Sequence, residues 1–156
     1  MSGLHSSEIE CLARRMLFDE NPNDSTIRYY LSSIRWLGLF ARDKLTDLTQ
    51  LKRYVVVVFN TDPHVKPGQH WLAIYRSCNW HLECFDSFGM PPFYYKLSTL
   101  FVYFYISLQS FSSALCGNYA IYFIFLRSRN VLFNKIILFL KSRSNSNLHL
   151  TTLYFI

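Results

Sequence analysis

The chain has 156 residues and a formal net charge of +6, and hydrophobic residues make up 51% and aromatic residues 18% of it. This length suits one domain with an adequate core, and so high an apolar content excludes a disordered chain. The longest nearly apolar stretches, at 97–108 and 119–126, fall short of the roughly 20 residues that cross a bilayer, which argues against a membrane protein. We therefore predict a single domain over residues 1–156, with a polar tail from about residue 141.

Charged side chains interrupt the N-terminal segment where a secretion signal would need a continuous apolar core. An intracellular protein is therefore expected, in which the four cysteines remain free thiols. Basic residues gather toward the C-terminus, namely Arg127, Arg129, Lys135, Lys141 and Arg143. Such a patch attracts polyanions such as nucleic acid, although an ordinary solvated face is the more common meaning.

Two short helices are predicted first. Ser7 and Glu10 have the spacing of a capping box, and the apolar residues after them recur at helical spacing. A dense turn signal at 21–25 precedes a second short helix at 27–33.

Strands are predicted next. Tyr54 to Asn60 carries four consecutive valines, which favours a strand that is buried on both faces. His70 to Tyr75 and Trp80 to Phe85 follow as the two strands of an antiparallel hairpin.

The second half of the chain is predicted to be mainly helical. Residues 93–104 favour a helix that runs into a short strand near 105–108, although their aromatic content also fits a strand. Cys116 to Arg129 is apolar nearly all round, as a central helix is, and Val131 to Leu140 forms one more helix. The fold class is α+β, with a small, mainly antiparallel central sheet packed between helices and Cys116 at the N-terminus of the central buried helix.

A histidine, a carboxylate and a cysteine in this chain could perform nucleophilic catalysis. Cys116 would be the nucleophile, activated by a neighbouring base and by the start of its helix. His70 would take the thiol proton and return it to the leaving amine, and a carboxylate would orient the imidazole. Asp86 is the better candidate, because it ends the hairpin strand opposite His70, while Glu83 points to the other sheet face; a register error of one residue would exchange them.

The order His, Asp, Gln, Cys and four local segments resemble the adenovirus protease (adenain) group and its relatives in virus-like DNA transposons. Papain-like enzymes place the cysteine before the histidine instead. The segments are Leu37-Gly-Leu-Phe-Ala-Arg-Asp43-x-Leu45, Val58-Phe-Asn60-Thr-Asp62, Pro67-Gly-Gln-His70-Trp71-Leu-Ala and Phe85-Asp86-Ser-Phe88-Gly89-Met-Pro-Pro92, followed by Gln109 and Cys116-Gly117. The resemblance covers the chain from about Trp36 to Phe139.

This resemblance implies a cysteine endopeptidase that matures viral or transposon structural precursors. Gln109 would join the backbone N–H of Cys116 in the oxyanion hole, and Trp71 and Gly117 would line a narrow cleft suited to small residues, especially glycine. No cofactor is implied, although DNA and a short peptide stimulate adenovirus protease. A monomer in the nucleus or virion is expected.

Three alternatives remain open. The first is a protease that removes ubiquitin or a ubiquitin-like protein such as SUMO, since those tails end in Gly-Gly and the SUMO proteases are more distant relatives. The second is a zinc site at Cys78-x-x-His81-x-x-Cys84, which would need a fourth ligand. The third is an inactive module that binds nucleic acid through its C-terminal charges.

Overall fold

The structure is a computed structural model, which describes residues 5–14, 34–44, 47, 54–66, 69–77, 81–97 and 101–144. Its helices are α1 (Ser6–Arg14), α2 (Cys116–Ser128) and α3 (Phe133–Arg143). Its strands are β1 (Arg35–Ala41), β2 (Val55–Asn60), β3 (Trp71–Arg76), β4 (Leu82–Phe85) and β5 (Phe101–Val102). None of the helices in these ranges has the length and hydrophobicity that crossing a membrane requires.

The five strands form one mixed sheet in the order β1-β2-β3-β4-β5. The pairs β2–β3 and β3–β4 are antiparallel, whereas β1–β2 and β4–β5 are parallel. The predicted α+β class, the predicted strand at 54–60 and the predicted hairpin are confirmed. The sheet is mixed where the sequence suggested a mainly antiparallel one, because β1 and β5 had not been recognised as strands.

The central strand β2 is buried on both faces, as its run of valines predicts. Val56 and Val58 belong to the core beneath the helices, while Val57 and Phe59 belong to a second core on the opposite face. Apolar side chains at every position of a strand are typical of one that is covered from both sides.

Helix α2 lies across β3 and forms the centre of the larger core. Phe123 stacks on Phe85 of β4 with 4.7 Å between the ring centroids, and Ile9 of α1 is fully buried in the same core. Cys116 is buried at the first position of α2, as predicted. In the described ranges, the opposite face of the sheet is covered by residues of the segment 90–97, among them Tyr95.

Several predicted elements need correction. The described residues of this range, 93–97 and 101–104, do not form the predicted helix: a 3-10 turn at Pro92–Tyr95 ends at Lys96, whose φ of 61° is left-handed, and β5 pairs with β4. Residues 103–108 have no regular structure, so the short strand expected near 105–108 is also absent. The cap of α1 lies two residues earlier than predicted, because Glu8 rather than Glu10 closes it by accepting a hydrogen bond from the backbone N–H of His5.

Two further predictions concern the ends of elements. The helix predicted at 131–140 is observed as α3 at Phe133–Arg143, so it ends three residues later than predicted, and most of the predicted polar tail lies outside the described residues. The helix predicted at 27–33 lies outside the described residues.

A buried ion pair joins α2 to β4 beneath the helical face. Arg127 donates from Nε and Nη2 to the two carboxylate oxygens of Glu83, at 2.6 and 2.8 Å, and from Nη1 to the carbonyl of Val131 at 2.9 Å. Its guanidinium also lies 4.5 Å from the centroid of the Tyr75 ring. Bidentate geometry and complete hydrogen bonding are the conditions under which a buried pair is tolerated.

Replacing Arg127 alone should therefore be costly. We expect Arg127→Leu to lower the free energy of unfolding by about 3–5 kcal/mol, because it leaves the carboxylate of Glu83 buried and unpaired. The double variant Glu83→Leu/Arg127→Leu should recover most of that loss. Urea unfolding measures the free energy of unfolding of both variants. Equal losses in the two would show that the unpaired carboxylate of Glu83 is not what destabilises Arg127→Leu.

Candidate active site

Three elements of the fold meet at one end of the neighbouring strands β3 and β4. His70 immediately precedes β3, Asp86 immediately follows β4, and Cys116 begins α2. Because β3 and β4 are antiparallel, the start of one lies beside the end of the other, and α2 packs across β3. The structure therefore brings together the three residues that the sequence proposed as nucleophile, base and orienting acid.

The carboxylate of Asp86 accepts hydrogen bonds from four donors. Oδ1 accepts from Nε2 of His70 at 2.7 Å and from the N–H of Phe88 at 2.8 Å. Oδ2 accepts from the hydroxyl of Tyr95 at 2.6 Å and from the N–H of Met90 at 3.2 Å. Asp86 is only 6% exposed, so these donors replace the water that a carboxylate would otherwise bind.

The imidazole of His70 is fixed by Asp86 on one nitrogen, and its other nitrogen remains available to the thiol of Cys116. Nε2 is bonded to Asp86, whereas Nδ1 is buried without a hydrogen bond of regular geometry among the described residues. The ring stacks on Phe88, with 4.1 Å between centroids and 20° between planes. A histidine held in this way presents one nitrogen for proton transfer, as a general base must.

The thiol of Cys116 and the imidazole of His70 shift each other's pKa. Burial alone would lower the pKa of His70, but hydrogen bonding to Asp86 and to Cys116 outweighs it and raises that pKa to about 9. Burial would raise the pKa of Cys116, but the hydrogen bond and charge of His70 outweigh it, so that the pKa lies below its usual value. Both shifts favour a thiolate beside an imidazolium at neutral pH.

Backbone amides also stabilise the thiolate. Hydrogen bonds from the N–H groups of Trp71 and Gly117 lower the pKa of Cys116. Leu115, at the N-cap of α2, offers no side-chain acceptor to the first turn of the helix. The amides of that turn and the positive end of the helix dipole are therefore available to a negative sulfur.

Gln109 reaches the site through a close crossing of two chain segments. The N–H groups of Leu108 and Gln109 both donate to the carbonyl of Ser87, at 2.8 and 3.3 Å. Gly89 permits this crossing: its φ is 74°, and a Cβ there would lie 2.6 Å from the carbonyl carbon of Ile106. A glycine is required where backbone approaches backbone so closely.

The side chain of Gln109 is held on both of its ends. Nε2 donates to Oγ of Ser87 at 3.0 Å, and Oε1 accepts from Oγ of Ser113 at 3.3 Å. A carboxamide nitrogen carries two protons, so the bond to Ser87 leaves one donor for a ligand. The role of Gln109 in an oxyanion hole stays a prediction.

Trp71, which follows His70 in the chain, lines a cavity of about 250 Å³ at the same end of the strands. The cavity is lined by residues that include Leu39, Phe40, Asn60, Asp62, His64 and Trp71. Asp43 fixes its rim, because its carboxylate accepts from the backbone N–H of His64 at 2.8 Å and pairs with the ring of that histidine. The proposed roles of Trp71 and Gly117 in substrate binding stay predictions.

The zinc alternative finds no support among the described residues. Within the described ranges, no group of three or more His, Cys, Asp and Glu residues is arranged to hold a metal ion. Cys78 lies outside those ranges, Cys84 is buried and His81 is exposed. The described cysteines, Cys11, Cys84 and Cys116, are free thiols.

Sequence reasoning missed two residues of the site. Phe88 stacks on His70, and Tyr95 donates to Asp86 and lies 6.0 Å from the imidazole, centroid to centroid. Phe88 had a signal, because it belongs to one of the segments that carry the family resemblance. No signal in the sequence pointed to Tyr95, because its hydroxyl reaches Asp86 only through the 3-10 turn at Pro92–Tyr95.

The paired pKa shifts predict a reactive thiol. We expect iodoacetamide to alkylate Cys116 well below the usual thiol pKa of about 8.5, and His70→Ala to move the midpoint of that pH profile upward, because the imidazolium is lost. Mass spectrometry locates the label, with exposed Cys11 as the reference thiol and buried Cys84 as the thiol that should stay unlabelled. Equal rates at Cys116 and Cys11, with or without His70, would contradict the ion pair.

The bond from Tyr95 predicts a positioning role. Tyr95→Phe should lower the free energy of unfolding by about 1.5–3 kcal/mol, the usual worth of a hydrogen bond to a charged group. It should also raise the midpoint of Cys116 alkylation, because Asp86 no longer holds His70 in one orientation. Tyr94→Phe, the same change at an exposed neighbour, should do neither, and an unmoved midpoint in Tyr95→Phe would leave Tyr95 a purely structural role.

Comparison with known proteins places no further constraint on this site. No protein-family model matches the chain, and a search of curated proteins found no match either. The functional interpretation therefore depends on the geometry of Cys116, His70 and Asp86, together with the resemblance of the local segments.

Proposed function

We propose that this protein is a cysteine endopeptidase that cleaves peptide bonds through an acyl-enzyme. The observation that carries the proposal is the continuous connection from Asp86 through His70 to Cys116. Asp86 bonds to one imidazole nitrogen at 2.7 Å, and the imidazole and the thiol favour each other's charged forms. Perturbed ionisable groups in direct contact are typical of catalytic sites.

The thiolate of Cys116 attacks the carbonyl carbon of the scissile bond. The negative charge passes to the carbonyl oxygen, and His70 gives its proton to the leaving amine as the C–N bond breaks. A water molecule that His70 deprotonates then attacks the carbonyl carbon of the thioester. The C–S bond breaks, the acid product leaves, and the thiolate of Cys116 is restored beside the protonated His70. Asp86 keeps the imidazole oriented and stabilises its cationic form throughout.

The charge that develops on the carbonyl oxygen needs preorganised donors. The backbone N–H of Cys116, at the start of α2, and the remaining N–H of Gln109 are the donors we propose. Ser87 and Ser113 hold the Gln109 amide before any substrate arrives. Donors fixed in advance stabilise a transition state without a cost of reorganisation.

A binding module without catalysis explains the same geometry less well. Asp86 and His70 are 6% and 7% exposed, and burying a charged pair costs several kcal/mol per ion unless every partner is in place. A surface that only binds nucleic acid needs exposed cations and gains nothing from a buried acid, base and thiol. Such a cost is typical of functional sites.

The family resemblance suggests the substrate class. It implies cleavage after small residues, especially glycine, in viral or transposon structural precursors. Removal of a ubiquitin-like protein would use the same residues, since those tails also end in Gly-Gly. A capsid-type peptide and a ubiquitin-like conjugate, offered to the same preparation, separate the two.

Peptide hydrolysis tests the proposal. Peptides with Gly-Gly before the scissile bond should be cleaved by the native chain and left intact by Cys116→Ala. Gln109→Ala should lower kcat by roughly 100- to 1,000-fold, the usual effect of losing one oxyanion donor. Gln69→Ala, the same change at an exposed glutamine, should leave kcat within a few-fold.

The pH profile of kcat/KM provides a second readout. Its alkaline limb should lie near pH 9, where His70 loses the proton that the leaving amine requires. Its acid limb should lie below the usual thiol range, where the thiolate of Cys116 becomes protonated. A chain with a reactive Cys116 that cleaves neither peptides nor conjugates would refute the peptidase.

A further inference from the structure

We propose that a pocket beside Gln109 binds an acidic side chain of the substrate, close to the scissile bond. The inference extends the proposed peptidase by assigning a charge preference to its cleft. The pocket has a volume of about 440 Å³. It is lined by Ser107, Leu108, Gln109, Ser110, Ser113, Leu115, Tyr119, Lys141 and Ser144.

The lining of the pocket includes the residue before the proposed nucleophile and the proposed oxyanion-hole glutamine. Leu115 precedes the nucleophile in the chain, and Gln109 is the side chain we propose for the oxyanion hole. Helices α2 and α3 are in contact and connected by a short turn, so the last turn of α3 returns toward the start of α2. This return places Lys141 beside the segment 107–113 rather than at a distant surface.

Lys141 is tethered at the rim of the pocket. Its Nζ donates to the carbonyl of Ser107 at 3.1 Å. An ammonium group has three N–H donors, so this bond positions the charge without exhausting it. A carboxylate, which only accepts hydrogen bonds when ionised, is the complementary group.

The lining supplies hydroxyl donors and no carboxylate. Four of its residues are serines, at positions 107, 110, 113 and 144. Ser113 already orients Gln109, and Ser110 shares a hydrogen bond with Ser112 in which either oxygen can be the donor. An anion bound here would meet hydroxyls and one ammonium, and no like charge from the walls.

The wider charge distribution favours the same ligand. The sequence contains no aspartate or glutamate after Asp86, whereas basic residues continue to Arg143. Arg127 is neutralised by Glu83, but Lys141 has no acidic partner among its hydrogen bonds in the described structure. Lys141 is the one charged residue in the lining that the structure describes, and its positive charge attracts acidic peptides and raises their rate of association.

An acidic peptide fits the pocket better than nucleic acid does. A phosphate backbone binds through a row of exposed cations and releases one counterion for each phosphate neutralised. Here a single ammonium lies over a concave pocket that is continuous with the residues flanking Cys116. Leu115, which precedes Cys116 in the chain, and Gln109 both line this pocket, so a substrate bound at Cys116 would lie close to it.

The charge of an alkylating reagent tests the pocket without requiring peptidase activity. Iodoacetate carries the carboxylate that the pocket should attract, and iodoacetamide is its neutral counterpart. The ratio of their rates at Cys116 should fall by roughly 30-fold in Lys141→Glu, since an attraction of about 1 kcal/mol between charges at contact distance in water becomes a repulsion of the same size. Lys135→Glu, the same change at an exposed position near the opposite end of α3, should leave the ratio unchanged, and high salt should diminish the effect.

Paired peptides then test specificity. Substrates with aspartate or asparagine at each position flanking the scissile bond should show, at one position, a several-fold higher kcat/KM for aspartate. Lys141→Glu should abolish or reverse that preference, and Lys135→Glu should keep it. If no peptide is cleaved, the proposed function fails, while the alkylation ratio still decides whether the pocket attracts a carboxylate.

Two results would overturn the inference. One is an alkylation ratio that does not change in Lys141→Glu, or that changes equally in Lys135→Glu. The other is a variant Lys141→Glu that keeps the ratio and loses affinity for a short DNA duplex, which would make this face a phosphate-binding surface instead.

Discussion

The buried carboxylate of Asp86 is the group around which this part of the molecule is organised. An ion of this size loses several kcal/mol when it leaves water, and the protein offsets that loss only with donors held at the right distances. The donors come from the strand edge at His70, from the backbone turn at 88–90 and from Tyr95. The turn conformation, the 3-10 turn and the orientation of the imidazole are therefore consequences of one requirement.

Two buried cysteines near this carboxylate behave in opposite ways, which shows what decides the state of a thiol. Cys84 lies two residues before Asp86, and burial together with the negative charge of Asp86 raises its pKa. Cys116 is nearly as buried, yet its pKa falls, because His70 and two backbone amides favour the thiolate. Asp86 thus suppresses one thiolate directly and, by favouring the imidazolium of His70, promotes the other. The reactivity of a thiol therefore depends on a neighbouring cation, here the imidazolium of His70 between Asp86 and Cys116. It cannot be inferred from burial alone.

The sequence predicted those elements whose pattern is local and strong. Four valines in a row can scarcely be other than a buried strand, and the apolar run after Cys116 is long enough to require a central helix. The hairpin followed from two short β-forming runs, and its register put Asp86 rather than Glu83 beside His70. The sequence therefore predicted that Cys116, His70 and Asp86 lie close together, and their catalytic roles stay predictions.

The remainder depends on tertiary contacts that no local pattern encodes. Residues 93–104 have helical length, but the left-handed backbone at Lys96 and the pairing of β5 with β4 override that tendency. Tyr95 meets Asp86 across nine positions only through that turn. Gln109 approaches the site only because Gly89 lets two backbones cross, a requirement that concerns a segment seventeen residues away.

Charged side chains are distributed unevenly along this chain, and this distribution would affect which substrate side chains are attracted on either side of Cys116. Asp86 is the last acidic residue in the sequence, so the part of the chain that follows it, which includes Cys116, carries only basic charged side chains, whereas the part before it carries both signs. On the Trp71 side, the cavity contains Asp62, His64 and Lys66, whereas the Lys141 side carries only positive charge. A peptide lying across Cys116 would therefore experience different potentials on its two sides. Because Asp86 and His70 are buried and hydrogen-bonded to each other, that difference can change with evolution of the surface while Asp86, His70 and Cys116 keep their geometry.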